Sequence, residues 1–187
     1  MQSESKQWVW IDLELTGLDL TSDQIVEISV ILTDTSLSRI IEGPSLVVHQ
    51  SDETLEKMND FVTKMHTKSG LIQLVKESQC SVSQAELAVL NFLSANNVNN
   101  ATLAGNSVHM DRLFLLKHMP LLFRPYISPF TLMDVSSIKQ IYLLYKSTTE
   151  PIAKKQNHRS LEDIRQSIEE LRFYINSGFT NLLSINS

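Results

Sequence analysis

The sequence predicts an α/β domain on a mixed sheet, an antiparallel three-strand meander followed by parallel strands, with helices flanking it. Three observations predict this. Residues 8–15, 25–34 and 39–49 are rich in Ile and Val and joined by short polar links, "TGLDLTSDQ" and "TSLS", which favour antiparallel neighbours. Segments of helical periodicity then alternate with short apolar runs, and strands first with helices and strands after is an α/β order. The length of 187 residues suits one domain spanning 1–187, with a core from about 8 to 179 and short flexible termini.

Taken in order, the first strand is "WVWIDLEL". Side chains on a strand alternate faces, so Trp10, Asp12 and Glu14 share one face while Val9, Ile11, Leu13 and Leu15 share the other. "IVEISVILTD" and "RIIEGPSLVVH" complete the meander. Ser83-Gln84-Ala85-Glu86 fits a capping box, opening a helix to about Ser94 that "NNVNN" ends. "ATLAGNS" reads as a short buried strand. A helix from His109 to Met119 stops before Pro120, "FTLMDV" reads as a further strand, and a helix covers 135–145. "KSTTEPIAKKQN" is loop-like. The last helix, from near Arg159 to about Asn176, carries Leu161, Ile164, Ile168, Leu171 and Ile175 as one apolar stripe.

Composition narrows the function. A net charge of −5 argues against a general polyanion surface, so no groove for a long nucleic acid is expected. No run of 18 or more apolar residues exists, and the N-terminus resembles neither a signal peptide nor an Arg-rich leader, so no membrane association is expected. The single Cys80 cannot form an intrachain disulfide and favours a reducing, cytoplasmic compartment. The five glycines are too scattered for a phosphate-binding glycine cradle.

Several acids sit where a core pattern would not put them. Asp12 and Glu14 lie within an apolar strand, where an unpaired charge costs several kcal/mol, roughly. Asp111 shares a helix face with Phe114, Leu115 and His118. In "HRSLEDI", Asp163 falls on the flank of the last helix's buried stripe and Glu162 points to solvent; His158 precedes the helix body. Oxygen donors without a Cys/His set suit Mg²⁺ or Mn²⁺. Carboxylates holding two such ions support phosphodiester cleavage, and a nearby histidine can deprotonate the attacking water.

"WVWIDLELTGLD", "IVEI", "EGP", "HTKSGL", "AGNSVHMDRLFL", "DVSS" and "HRSLEDIRQSIEELRFY" together resemble the oligoribonucleases, DEDDh-type 3′→5′ exonucleases, from about Trp8 to Phe179. The resemblance implies a ribonuclease-H-like fold, a homodimer, and hydrolysis of short RNA oligonucleotides, chiefly dinucleotides, to 5′-mononucleotides. It implies two Mg²⁺ or Mn²⁺ ions per site on Asp12, Glu14, Asp111 and Asp163, with His158 as general base. It gives Leu18 as a base contact and Ser107 and Ser136 as phosphate or substrate contacts. The family also works in mitochondria, so that compartment stands beside the cytoplasm.

The chain departs from the family pattern at Phe61, where tryptophan is usual, at Met110, where an acid is common, and at Phe130-Thr131, where Tyr-Arg is usual. Phe130 can still stack on a base, but Thr131 offers no guanidinium for a 5′-phosphate. Lys154 or Lys155 are candidates to replace that charge. His66 reads equally as a residue near the site, contacting substrate, and as a surface residue. His49 and His118 read as structural, His109 as a helix start, Trp8 and Trp10 as core or interface. Two alternatives stand: a DEDDh exonuclease acting on longer RNA or single-stranded DNA, and an inactive RNA-binding scaffold.

Overall fold

The Ile- and Val-rich segments form the centre of the sheet. In the computed structural model, which describes residues 7–145 and 159–179, β1 (Gln7–Leu15) pairs antiparallel with β2 (Ile25–Asp34). Trp10 stands opposite Ile31, Asp12 opposite Ser29 and Glu14 opposite Glu27. β2 pairs antiparallel with β3 (Ile40–Val47), completing the expected meander. β4 (Ala101–Gly105) and β5 (Ile127–Asp134) join in parallel, so among the described residues the sheet runs β3-β2-β1-β4-β5. The mixed sheet is therefore as the sequence predicts, with β5 beginning before "FTLMDV".

Alternation along β1 builds a core on each face. Val9, Ile11 and Leu13 pack with Val89 and Leu93 of α4 (Val82–Ala95) and Phe114 and Leu115 of α5 (His109–His118). On the other face Trp10, Ile31 and Ala104 meet Val135 of α6 (Val135–Tyr145) and Ile164, Ile168, Leu171 and Tyr174 of α7 (Ser160–Tyr174). Trp10 is fully buried, as a core residue should be, and its indole N–H donates to Thr33 Oγ1 at 2.9 Å. That bond satisfies the one polar atom the ring carries inside. His118 stacks on Phe114, ring centroids 6.0 Å apart, in keeping with its structural reading.

The helical boundaries correct two expectations. α4 opens on Ser81, not Ser83: Ser81 Oγ accepts the Gln84 N–H at 3.2 Å and Gln84 Oε1 accepts the Ser81 N–H at 2.8 Å. The box therefore sits two residues earlier and Ser83 lies in the first turn. α1 (Asp52–Glu56), α2 (Asp60–Lys68) and α3 (Leu71–Glu77) carry no expectation from sequence, because each is too short to show several periods. They pack Leu55, Val62, Leu71 and Val75 against Val26 of β2. Glu162 is half-buried and paired with Arg165 at 3.4 Å, rather than simply solvated. "KSTTEPIAKKQN", with Lys154 and Lys155, lies outside the described residues.

Ile11, wholly buried on the face away from the acids, reports on core packing alone. Ile11→Ala is expected to cost about 2–5 kcal/mol, read as a shift of the urea midpoint without change in slope.

Candidate active site

Two elements from opposite layers of the fold bring the acids to one end of β1. Asp12 and Glu14 project from the face that packs against α7, and Asp163 stands in the first turn of α7. One carboxylate oxygen from each of Asp12, Glu14 and Asp163 lies within 4.8 Å of the other two. This is a ligand set for a hard divalent cation. Asp111 arrives from the opposite layer, in the first turn of α5, and lies outside that group among the described residues.

The position of Asp111 follows from where β4 stops. The β1–β4 ladder ends at Trp10 and Ala104, after which β4 ends at Gly105 and the chain turns into α5. The Leu13 N–H beyond that ladder donates instead to Asp111 Oδ1 at 2.9 Å. A buried backbone donor requires such a partner. Asp111 is thereby held beside the acid pair, and its charge is felt at Glu14.

Burial is the first cause that pushes the Glu14 carboxyl up, from 4.5 to about 8; Asp163, Glu27 and Asp111 add repulsion while Arg159 opposes it. Burial likewise raises Asp111, with the Leu13 N–H pulling the other way. His66 is buried, its Nε2 is 2.9 Å from the Leu15 carbonyl and its Nδ1 is 3.9 Å from Glu14 Oε2. The β1–β2 register slips between Glu14 and Leu15, and His66 packs behind that bulge. The structure thus brings His66 to Glu14, not to open solvent.

A second cluster lies at the other parallel strand ends. Ser107 adopts φ of 52° and its N–H donates to Asp134 Oδ1 and Ser136 Oγ, each at 3.0 Å. Behind it, Asn106 Nδ2 donates to Ser167 Oγ at 2.6 Å and Glu170 Oε2 at 3.3 Å. Asn106 Oδ1 therefore faces Ser136, whose hydroxyl donates to it at 3.1 Å. The Ser136 proton is committed inward, so the exposed Ser107 hydroxyl is the donor of the pair that can turn to a ligand. Sequence reasoning passed over Asn106 and Glu170; an acid and an amide beside apolar residues were the only signals.

The other expected contacts are placed separately. Leu18, 68% exposed, lines a polar hollow of about 640 Å³ with Thr16, Lys57 and Asn59, starting two residues beyond Glu14. Phe61 is exposed in α2. Phe130 is 87% exposed on the edge strand β5, and the neighbouring Thr131 Oγ1 lies 3.0 Å from Thr102 Oγ1. Thr102 is level with Trp8, about 13 Å along the strand from Asp12. Phe130 and Thr131 are thus not brought to the acids of their own chain. His158 lies outside the described residues. The charges of Glu27 and Arg159 also reach Glu14; sequence reasoning passed over Glu27, for which an acid inside the apolar "IVEISVI" was the available signal, and weighed Arg159 only as a phosphate contact or a solvated loop residue.

Comparisons with known proteins agree with this geometry. Residues 9–171 match the Exonuclease family, RNase T. The chain is 41% identical to mouse mitochondrial oligoribonuclease over 181 residues, covering 95% of this chain and 76% of that protein. It is 42% identical to a probable oligoribonuclease of Dictyostelium discoideum, covering 93% and 91%. It is also 42% identical to the oligoribonuclease of Pasteurella multocida, covering 97% and 98%. Among solved structures, the nuclease domain of 3′hExo, a DEDDh family member bound to rAMP, superposes with a TM-score of 0.61 at 16% identity, covering 95% of this chain and 96% of that one. The metal-free E. coli ExoI–ssDNA complex gives 0.66 at 12% identity over 92% of this chain, which spans 40% of that one. These two likenesses show the fold. Family and acidic cluster together suggest dependence on a divalent metal.

The raised Glu14 carboxyl has a consequence for stability. The folded state keeps this proton to about pH 8, whereas the unfolded chain loses it near 4.5. The stability it contributes is full below 4.5 and is lost as the pH rises to about 8. The metal-free protein should therefore lose melting temperature across that window relative to Glu14→Gln, and Mn²⁺ should restore it. Parallel melting profiles for the two metal-free proteins would contradict this.

Proposed function

Because the chain belongs to the Exonuclease (RNase T) family, as an oligoribonuclease of the DEDDh group, we propose that this 3′→5′ exoribonuclease hydrolyses short oligoribonucleotides, chiefly dinucleotides, to 5′-mononucleotides. The observation that carries the reading is the meeting of Asp12, Glu14 and Asp163 within 4.8 Å, at the end of a strand that a neutral core would have filled. The net charge of −5 supports short substrates, since long strands are held by extended basic grooves.

In this reading Asp12, Glu14, Asp111 and Asp163 hold two Mg²⁺ or Mn²⁺ ions. Such ions polarise the scissile phosphate, lower the pKa of water and steady the leaving oxygen. His158 takes the proton of the attacking water on an imidazole nitrogen. The Ser107 hydroxyl donates to a substrate phosphate oxygen, and Ser136 orients Ser107 by accepting its N–H. Leu18 offers an apolar edge to a base, Phe130 a stacking face, and His66 backs Glu14 beneath the bound substrate. Residues 1–187 act as one exonuclease domain.

The partner of the chain in solution is proposed to be a second copy. β5 is an edge strand carrying exposed Phe130 and Leu132, and edges of that kind are templates for pairing. The working compartment is the cytoplasm, with the mitochondrion as the alternative suggested by the mouse relative's name. No described helix is long and apolar enough to cross a membrane. A broader substrate range is favoured by one observation: Thr131 carries no charge for a 5′-phosphate and is bonded to Thr102 instead.

Two experiments test the reading. Asp12→Ala and Asp163→Ala should each nearly abolish Mn²⁺-dependent hydrolysis, and His158→Ala should cost on the order of 10²–10⁴ in rate; normal turnover in either aspartate variant removes the mechanism. A 5′-phosphorylated dinucleotide should be cleaved far faster than a long single-stranded RNA. Equal rates would favour the broader exonuclease, and no hydrolysis of either the RNA-binding scaffold.

A further inference from the structure

Glu27 is a buried acid that none of the steps above uses. It stands directly opposite Glu14 in the β1–β2 register, so both side chains share a sheet face. It is 1% exposed. Like charges in such a pair repel, and what offsets them comes from the start of α7. Arg159 Nε donates to Glu27 Oε1 at 3.0 Å and Oε2 at 3.2 Å, and Arg159 Nη2 donates to Oε1 at 2.6 Å. The Ser160 N–H donates to Glu27 Oε2 at 3.0 Å.

The last contact makes Glu27 the cap of α7. Arg159 holds the cap position without a side-chain cap of its own, and Ser160 opens the helix. A carboxylate received from another strand satisfies the free N–H and suits the positive end of the helix. Two residues along β2, Ser29 Oγ lies 2.7 Å from Ser160 Oγ, and Ser29 stands opposite Asp12. The helix start is thus fastened at two successive positions of β2, each facing one acid of β1. Asp163 is on the same turn, its N–H bonded to the Arg159 carbonyl at 3.0 Å.

We propose that Glu27 is a positioning residue of the nuclease. Through Arg159 it fixes the first turn of α7, which sets Asp163 against Asp12 and Glu14. The proposal rests on the function given above and deepens it. The Arg172–Glu169 pair, near the other end of the same helix, is an ion pair of α7 that does not touch the first turn and serves as the control.

The test compares Glu27→Gln, Arg159→Met, Arg159→Lys and Glu169→Gln with the parent chain, at a temperature where circular dichroism shows each folded. The readouts are kcat, KM for the dinucleotide, the Mn²⁺ needed for half-maximal rate, and Mn²⁺ affinity by calorimetry without substrate. Glu27→Gln and Arg159→Met should lower kcat and weaken Mn²⁺ binding by about 10- to 100-fold, the usual effect of losing a residue that orients metal ligands. KM should hold. Arg159→Lys keeps the charge without the fork and should recover part of the loss. The double variant Glu27→Gln/Arg159→Met should be no worse than its worse parent, since the two act as a unit. Glu169→Gln should change nothing. A folded Glu27→Gln protein with parental kcat and Mn²⁺ affinity overturns the proposal, as does a deficit that vanishes wholly on cooling. If the parent chain hydrolyses no oligoribonucleotide, the proposed function falls; the calorimetric comparison still decides the positioning role, and equal affinities overturn it.

Discussion

The cost of burying carboxylate charge governs the acid end of the sheet. Glu14 and Glu27 face each other across two central strands, with Asp12, Asp111 and Asp163 close by. Among the described residues a guanidinium meets Glu27, the Leu13 N–H meets Asp111, and an imidazole lies 3.9 Å from Glu14. Burial first, and then repulsion from Asp163, Glu27 and Asp111, raises the Glu14 carboxyl to about 8. Several acids gathered as preorganised oxygen donors are a set that a divalent cation fits.

The architecture that gathers these acids is simple. β1 runs further than its parallel neighbour β4, which ends at Gly105. The uncovered end of β1 receives α5 from one layer and α7 from the other, and each helix contributes an acid from its first turn. An acid in a first turn is favoured by the helix dipole, so each helix start tolerates a charge that a helix middle would resist. Glu27 then locks α7 to β2, leaving the central hairpin as the rigid base of both helices.

The proposed substrate contacts lie around rather than within that frame. Ser107 and Ser136 are wired through Asn106 to Ser167 and Glu170, so the same helix that carries Asp163 also orients the hydroxyl pair. Ser167 Oγ donates to the Asp163 carbonyl at 2.7 Å, closing the link. Leu18 follows directly from β1 on an exposed loop, whereas Phe130 and Thr131 sit toward the opposite end of the strands. The replacement of the usual Tyr-Arg by Phe130-Thr131 therefore alters a surface remote from this chain's own acids.

How much was legible in the residues varies with the range of the interaction. Alternation in "WVWIDLEL" put Asp12 and Glu14 on one face, Ile and Val content with short links located the meander, and helical spacing located α4 to α7. These are properties of neighbouring residues, set by backbone periods of 2 and 3.6 that any short window reveals. α1 to α3 escaped because they are too short to repeat, and the capping box shifted because two serines satisfy the same pattern. By itself the sequence determined which side chains are in or out on each element, and therefore which acids are anomalous. Only the tertiary structure decided that residues 12, 14 and 163 meet, that Asp111 is held by Leu13, and that Glu27 belongs to Arg159. Those contacts span 98 to 151 positions in the chain for all but the β1 pair; helix docking and strand length decide them, and no local period encodes either.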